Sequence, residues 1–600
     1  MVAQPAGRDQ FVGYDGRIYK NEELNAFGTY ECIDYRERIL SRYSGLASAM
    51  RAEYLSIAQE QSYVQANLRF LELDERLRIR DFNLLSDREE INELAQRQAD
   101  HCRRLKERVK DSKSVFTLFQ ELADSYRIEA PNPEDYGNDV VPCINRFCCE
   151  RWWKRQLTKK QKFTVESVSR ELRQVHSHRA SYCSNFSFKR HKQQKIVNRK
   201  YLESKLAVNE ENQEYTLAEL SDLGVSNPAI RRLELITRCK GYEALAKELG
   251  HEALFITFTA PSRFHRMTKI SGESGKVIKV VPNSKFDGST PKDAQSYLCA
   301  TWAKIQAKFH REGIRPYGFR VAEPHHDGTP HWHFLLFVEK DHSEEMISIF
   351  QRWALKDTPD EKGATQHRVK VEKIKTGINP NTGREYSATG YIIKYISKNI
   401  DGHGINNGEK VAQNTDWESK DPYETAERIE AWARTNRIRQ FQPIGGPSVT
   451  VWRELRRLTE QEGIVEQVRQ AADSGDWASF VKAMGGPNIP RGEYLARPTY
   501  ALSESLDFDT GEITQVTHTC YGDEAKERVV GILIHGITIL SRTHFWQIRE
   551  NEKVINARQK IMDGIADILE EIQEQNQHLP MPVQSGYLQQ AKPAALDLFQ

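Results

Sequence analysis

The sequence predicts an α+β protein: an antiparallel sheet flanked by helices, preceded by a mostly α-helical region. Three observations carry that prediction. Between residues 21 and 127 the chain is charged and repeats apolar residues at three- and four-residue spacing, as in "YRERILSRYSGLASAMRAEYLSIAQEQ", which is the period of amphipathic helices. From His251 onward, apolar runs of strand length alternate with helical stretches. Finally, "YGFRVAEPH" and "HWHFLLFVE" flank "HDGTP"; Asp-Gly between two apolar runs signals a hairpin, and hairpins join antiparallel strands.

Taken in order, "IEAPNPEDYGND" (Ile128 to Asp139) is Pro, Asn and Gly punctuation and reads as a boundary. "ALFITFTA" (Ala253 to Ala260) reads as a strand closed by "PSRFH", and "KDAQSYLCATWAKIQAKFHREG" (Lys292 to Gly313) as an amphipathic helix. After the hairpin come a helix at Ser343 to Asp357 and a strand at His367 to Ile374. The turn-rich "KTGINPNTGRE" then leads into a short helix, "SATGYIIKYISKNI", Ser387 to Ile400. A strand, a Gly-Gly-Pro turn and a helix fill Ile438 to Leu458.

At 600 residues the chain is too long for one core, so three or more domains are expected. A net charge of +2 says little about partners, and charge distribution has to carry that argument. No basic segment followed by an apolar stretch opens the sequence, so neither a secretory signal nor a transit peptide is expected. The longest nearly apolar run, Val529 to Leu540, is too short to span a bilayer. The chain therefore reads as cytoplasmic, with no membrane partner. Nine cysteines, an odd number in a large chain, fit reduced thiols better than a disulfide framework.

The charge concentrates in one stretch. Arg146 to Lys200 holds sixteen Lys and Arg against three acids, interleaved with aromatic residues. Its head, "RWWKRQLTKKQKF", suits a phosphate backbone, with aromatics available to stack on bases. Arg151, Trp152, Trp153, Lys154, Arg155, Lys159 and Lys160 are the candidate DNA-binding residues. The competing reading is a solvated basic helix face with core tryptophans. The cysteines and histidines nearby lack a CxxC pair, which argues against structural zinc.

Two constellations carry chemistry. In "HWHFLLFVE", residues i and i+2 of a strand share a face, so His331 and His333 are neighbours while Trp332 points away. Two imidazoles on one face can hold a divalent ion, and Glu323 on the preceding strand adds a hard oxygen that favours Mg²⁺ or Mn²⁺ over zinc. Register decides whether it can. A two-residue turn at Asp327-Gly328 sets Glu323 opposite Trp332, whereas a three-residue loop sets it opposite His331 or His333. Thr329-Pro330 favours the longer loop, because proline cannot serve a central ladder.

The second constellation is "GYIIKYISKNI", where Tyr391 and Tyr395 lie one helical turn apart and Lys394 and Lys398 repeat the same step. A buried amphipathic helix explains the isoleucines without explaining paired tyrosines and lysines. A tyrosine phenol is a poor nucleophile at neutral pH, and a phosphodiester repels attack. A metal polarising the phosphate and a lysine favouring phenolate would overcome both obstacles.

"FITFTAPSRFH", "EPHHDGTPHWHFLLF" and "YIIKYISKN" resemble, in order, the three motifs of the HUH rolling-circle replication initiators. The fit is closest to the tailed-phage replication gene A protein family, which "RIEAWARTNRIRQFQPIGGPSVTVWRELRR" also resembles. The resemblance covers about Ala253 to Arg457 and extends loosely toward the amino terminus. It implies His331 and His333 as metal ligands and Tyr391 and Tyr395 as nucleophiles. The family's third ligand varies in type and place; Glu323 is the candidate for it, with His325 and Asp327 in reserve. Conjugative relaxases place the tyrosine before the histidine pair; here it follows, the order of replication initiators.

The resemblance implies a site- and strand-specific nick at an origin, a 5′ phosphotyrosyl link and extension from the 3′ hydroxyl. No GxxxxGK[ST] occurs, so a host helicase and polymerase are expected alongside origin DNA. The expected organisation is a helical region at 1–130 and a basic DNA-binding region at 140–250. An HUH nuclease domain at 251–460 carries its nucleophile helix at 387–400. A C-terminal accessory region with a disordered tail fills 461–600. A metal-dependent hydrolase and a non-catalytic origin-binding protein are the alternatives.

Overall fold

The computed structural model describes residues 10–13, 17–272, 277–361, 363–380, 383, 385–403 and 421–577. The tail expected to be disordered, beyond residue 577, lies outside the described residues. The protein is α+β and divides into two compact units. The larger comprises residues 1–192, 231–503 and 515–542, and the smaller comprises 193–230, 504–514 and 543–600.

The larger unit begins with the expected helices, Tyr30–Arg42, Ala47–Glu60, Tyr63–Leu77, Arg88–Arg108 and Ser112–Ser125. Local chemistry sets their ends. Asp87 accepts from the Glu89 and Glu90 N–H groups while Glu90 reaches back to the Asp87 N–H, a capping box that starts the longest of these five. The apolar core of these helices runs from Phe11 to Leu172 and takes in Trp152, Trp153, Leu157 and Val165. Those four residues belong to the basic helix, Glu150–Glu171. The stretch from Ile128 to Asp139 thus connects two parts of one core.

Five strands form the central sheet: β1 (Glu252–Thr259), β2 (Tyr317–Pro324), β3 (Pro330–Val338), β4 (Val369–Lys373) and β5 (Phe441–Ile444). Their order is β4-β1-β3-β2-β5 and every pairing is antiparallel. β2 and β3 are buried along their whole length, which is why they read as apolar runs. Trp332, Phe334 and Leu336 pack on one face against Trp302, Phe309 and Phe350 of the helices Pro291–Arg311 and Ser343–Ala354. Phe255, Phe319, Leu335 and Phe337 pack on the other against Tyr242, Ile392 and Ile396. These last three come from the helices Pro228–Leu249 and Ala388–Ile400.

Several elements have no counterpart in the sequence reading. They include the hairpin Met267–Ser271 with Val277–Pro282 and the helix Pro422–Asn436. A three-stranded sheet pairs Ala496–Ala501, Arg528–Ile534 and Ile537–Leu540. The apolar run from Val529 to Leu540 is therefore a hairpin that turns at His535 and Gly536, both with positive φ. In the smaller unit, Lys205–Asn209 pairs with Glu214–Thr216 and Trp546–Glu550, and the helix Glu552–Gln577 follows. No helix among the described residues is long and apolar enough to cross a membrane.

Candidate active site

The site starts from the loop between β2 and β3. His325 N–H donates to Thr329 C=O at 2.8 Å, and Gly328 N–H donates to His325 C=O at 2.8 Å, which closes a three-residue loop. Gly328 holds φ +84, the left-handed position that such a loop demands. The register follows: Glu323 pairs with His331, Ala322 with Trp332 and Val321 with His333. Glu323 thereby shares the face of both histidines.

That face is the one covered by the tyrosine helix, Ala388–Ile400. His331 Nε2 and His333 Nε2 lie 3.0 Å apart, and His333 Nε2 lies 3.3 Å from Glu323 Oε2. The ligand atoms of Glu323, His331 and His333 all lie within 4.8 Å of one another. All three side chains are buried, and Glu323 Oε2 has no hydrogen bond of good geometry. Buried nitrogens and a carboxylate oxygen converging on one point are satisfied by a shared cation, so the donor set fits a divalent metal.

The surroundings hold these groups in ligand form. His333 Nδ1 contacts Thr257 Oγ1 at 3.1 Å; with the proton on Nδ1, Nε2 turns its lone pair to the cluster. Burial lowers the His333 pKa, against the opposing pull of Glu323, and favours the neutral imidazole. Burial alone would raise the Glu323 pKa, but the Lys398 ammonium and His333 outweigh it and lower the value to about 2. Lys398 is itself buried and pairs with Glu323 Oε1.

The tyrosine helix is fixed at its start. Ser387 caps it by accepting from Gly390 N–H, and Glu243 accepts from the N–H groups of Ala388 and Thr389 at 2.9 Å each. Ile392, Ile396 and Ile400 are buried, leaving Tyr391, Lys394 and Tyr395 half-buried. The Tyr395 ring stacks on His333 with centroids 3.9 Å apart. Phe255 links the group: its ring lies 5.6 Å from Tyr395, 5.8 Å from Tyr391 and 5.7 Å from His333. Lys394 Nζ lies 4.9 Å from the Tyr395 ring centre. Burial lowers the Lys394 pKa, with Glu323 and Glu372 opposing. The two lysines, alike in spacing, therefore differ: Lys394 attends a tyrosine and Lys398 attends the carboxylate.

The reserve ligands have other work. Asp327 contacts His265 Nδ1 at 3.2 Å and accepts from the N–H groups of Arg266 and Thr329. The His325 ring stacks on His331 at 4.0 Å. Arg170, at the end of the basic helix, donates to Asp327 C=O at 2.9 Å, and Trp432 donates to Gly328 C=O at 2.7 Å. Thr257, Glu243, Arg170 and His265 escaped the sequence reading as site residues. Only the alternation in "FITFT" could have pointed to Thr257.

The candidate DNA-binding residues divide. Arg151, Arg155 and Lys159 are exposed and Lys154 and Lys160 half-buried. Trp152 and Trp153 are 4% and 0% exposed. Their rings pack on Phe147 and on each other, which corrects the expectation that they stack on bases. The apolar period of an amphipathic helix places them on its core side. Arg155 donates to Tyr521 Oη at 2.8 Å.

The family model described as bacteriophage replication gene A protein matches residues 86–403, just over half of the chain. The replication gene A protein of Escherichia phage 186 is 40% identical over 370 residues, 60% of this chain and 51% of that protein. The replication protein of Haemophilus phage HP1 is 36% identical over 462 residues, 74% of this chain and 54% of that protein. A probable replication endonuclease from a prophage-like region of Salmonella paratyphi A is 32% identical over 436 residues, 70% of this chain and 49% of that protein. The chain spans about half the length of these relatives. No solved structure matches. The chain belongs to the bacteriophage replication gene A protein family.

Proposed function

We propose that this protein is a site-specific, strand-specific DNA nicking and joining endonuclease that initiates and terminates rolling-circle replication of phage DNA through a 5′-phosphotyrosine intermediate. One observation carries the reading: Tyr395 stacks at 3.9 Å on His333, a member of the buried Glu323, His331 and His333 cluster. The family's description and the word endonuclease in the Salmonella relative's name support it.

In the reaction, the phenol oxygen of one tyrosine attacks the scissile phosphorus. A P–O–tyrosine bond forms, the bond to the 3′ oxygen breaks, and that oxygen leaves as a 3′ hydroxyl after taking a proton. A divalent cation, Mg²⁺ or Mn²⁺, held by Glu323, His331 and His333 would polarise the phosphate. Lys394, its pKa lowered by burial, sits beside Tyr395 to favour loss of the phenol proton. Lys398 holds Glu323 Oε1 and so aims Oε2 at the histidines. One ester replaces another, so rejoining needs no ATP. Tyr391 and Tyr395 stand about 6 Å apart along the helix axis. One holds the 5′ end while the other cuts the regenerated origin, and the released 3′ hydroxyl then displaces the first link to close a circle.

The partners are origin DNA, single-stranded or melted at the nick, and the host replicative helicase and polymerase, in the bacterial cytoplasm. Residues 251–460 perform the chemistry, 140–250 grip DNA, and 1–130 and 461–600 support them. The test incubates the chain with single-stranded origin DNA and Mg²⁺ and maps the SDS-stable adduct. Linkage on Tyr391 or Tyr395 is expected. Linkage on Tyr386, or anywhere outside that helix, overturns the mechanism. Cleavage that survives loss of both tyrosines returns a metal-dependent hydrolase, and binding without any adduct returns an origin-binding protein.

A further inference from the structure

A cavity of about 430 Å³ opens in the larger unit, away from the tyrosines, where the basic helix meets the chain after Tyr126. Arg127, Lys159 and Lys160 line it, and among the described residues none of the three pairs with a carboxylate. A fourth cation, Arg76, is already neutralised, with Glu171 at 2.6 Å. Only Glu129 on the lining offsets the other three. Burial lowers the Lys160 pKa and the Arg127 charge lowers it further, the mark of gathered cations without a counter-ion. An anion entering here gains from three charges at once. The lining also has apolar groups: Phe163, half-buried, stands one turn after Lys159 on the same helix, and Ile128 is buried. Cations and an aromatic ring lining one cavity match a nucleotide, with its phosphate on the first and its base on the second.

The placement adds to the case. Lys160 and Arg170 lie on one helix, ten residues or about 15 Å apart. Arg170 donates to Asp327 C=O at 2.9 Å and to Ser289 C=O at 2.9 Å, which ties the helix to the loop beside His331. Thr290, on the cavity lining, adjoins the Ser289 that Arg170 holds, so cavity and loop meet through this one arginine.

We infer that this cavity, lined by Arg127, Lys159, Lys160 and Phe163, holds one nucleotide of single-stranded DNA, its phosphate on the three cations and its base against Phe163. The inference rests on the nicking reading for its biological setting, but its test needs no cleavage. Binding of the full chain to a ten-residue oligothymidylate is measured by fluorescence anisotropy across a salt series. An abasic oligomer of the same length serves as the comparison.

Lys159→Gln/Lys160→Gln is expected to weaken oligothymidylate binding at least tenfold at low salt and to lower the log-log salt slope by about 0.7, the contribution of the one single-strand phosphate held here. Phe163→Leu, which keeps apolar bulk and loses the flat ring, is expected to lose the preference for oligothymidylate over the abasic chain while keeping the wild-type slope. Binding is read without a divalent metal and adduct formation is measured separately on the same variants, so cavity and chemistry fail or stand separately. An unchanged slope in the lysine variant places the DNA elsewhere and overturns the inference. A lowered slope with the base preference intact in Phe163→Leu overturns the nucleotide assignment and leaves a phosphate contact alone.

Discussion

The two faces of β3 (Pro330–Val338) come from one run of nine residues and do opposite things. On one face Trp332 is fully buried, donates from Nε1 to Gln295 Oε1 at 3.0 Å and carries the Arg320 guanidinium 3.8 Å over its ring. The Trp332 N–H has a fixed protein partner, and the face is a wall. On the other face, one residue to either side, His331 and His333 gather with Glu323, their ligand atoms within 4.8 Å of one another. Equal burial thus produces a core on one side and a ligand set on the other, and what separates them is the convergence of metal-ligating atoms on one face.

The largest expected effects lie on the chemical face. His331→Ala/His333→Ala should abolish nicking while DNA binding persists, because phosphate polarisation and backbone affinity reside in different parts of the chain. Retained Mg²⁺-dependent cleavage by that variant would sink the metal assignment. Tyr391→Phe/Tyr395→Phe should give no covalent adduct with fold and Mn²⁺ binding intact, since only two hydroxyls go. Each single variant should keep some cleavage at unequal rates, because only Tyr395 stacks on His333. Both singles should fail in complete replication.

The wall should respond in stability instead. Trp332→Ala removes a side chain packed against Phe258 and Phe334 and should cost about 3–5 kcal/mol, read as a shift of the main denaturant transition. A cost near zero would mean that the two faces are not divided as drawn. Thr257→Val sharpens the division from the other side. It is nearly isosteric but removes the contact to His333 Nδ1, and it should weaken Mn²⁺ binding about 10–100-fold with little change in the transition. Thr257→Ser should recover most of the affinity; if it does not, packing of the methyl group holds His333.

How much of this is legible in the sequence follows from what each feature depends on. The sheet strands, the hairpin and the tyrosine helix announce themselves because each is encoded by a period or a turn within about ten residues. The shared face of His331 and His333 follows from strand alternation alone. Glu323 was legible only conditionally, since its face depends on one residue of loop length. Thr257 and Glu243 were not legible as site residues, because each meets its partner across long stretches of chain: 76 residues to His333 and 145 to Ala388. The tryptophans mislead for a related reason. Trp152 and Trp153 stand among cations in sequence, but helical geometry turns them toward a core built from residues as far back as Phe11.

The smallest expected effect tests what sets the register itself. Gly328 holds φ +84, and a β-carbon there would stand 3.0 Å from Tyr182 C=O. Gly328→Ala should therefore cost about 1–2 kcal/mol, the price of a left-handed alanine. Relief of that strain by a two-residue turn would slip the pairing by one residue and send Glu323 to the wall side. The ladder opposes the slip: all eight β2 residues, Tyr317 to Pro324, are paired with β3, and both faces are buried, so slipping would invert every side chain at once. Stability should fall by that small amount while Mn²⁺ affinity changes by no more than a few-fold. Loss of Mn²⁺ binding in a chain that stays folded would show the reverse, that the loop and not the packed ladder decides which face carries Glu323.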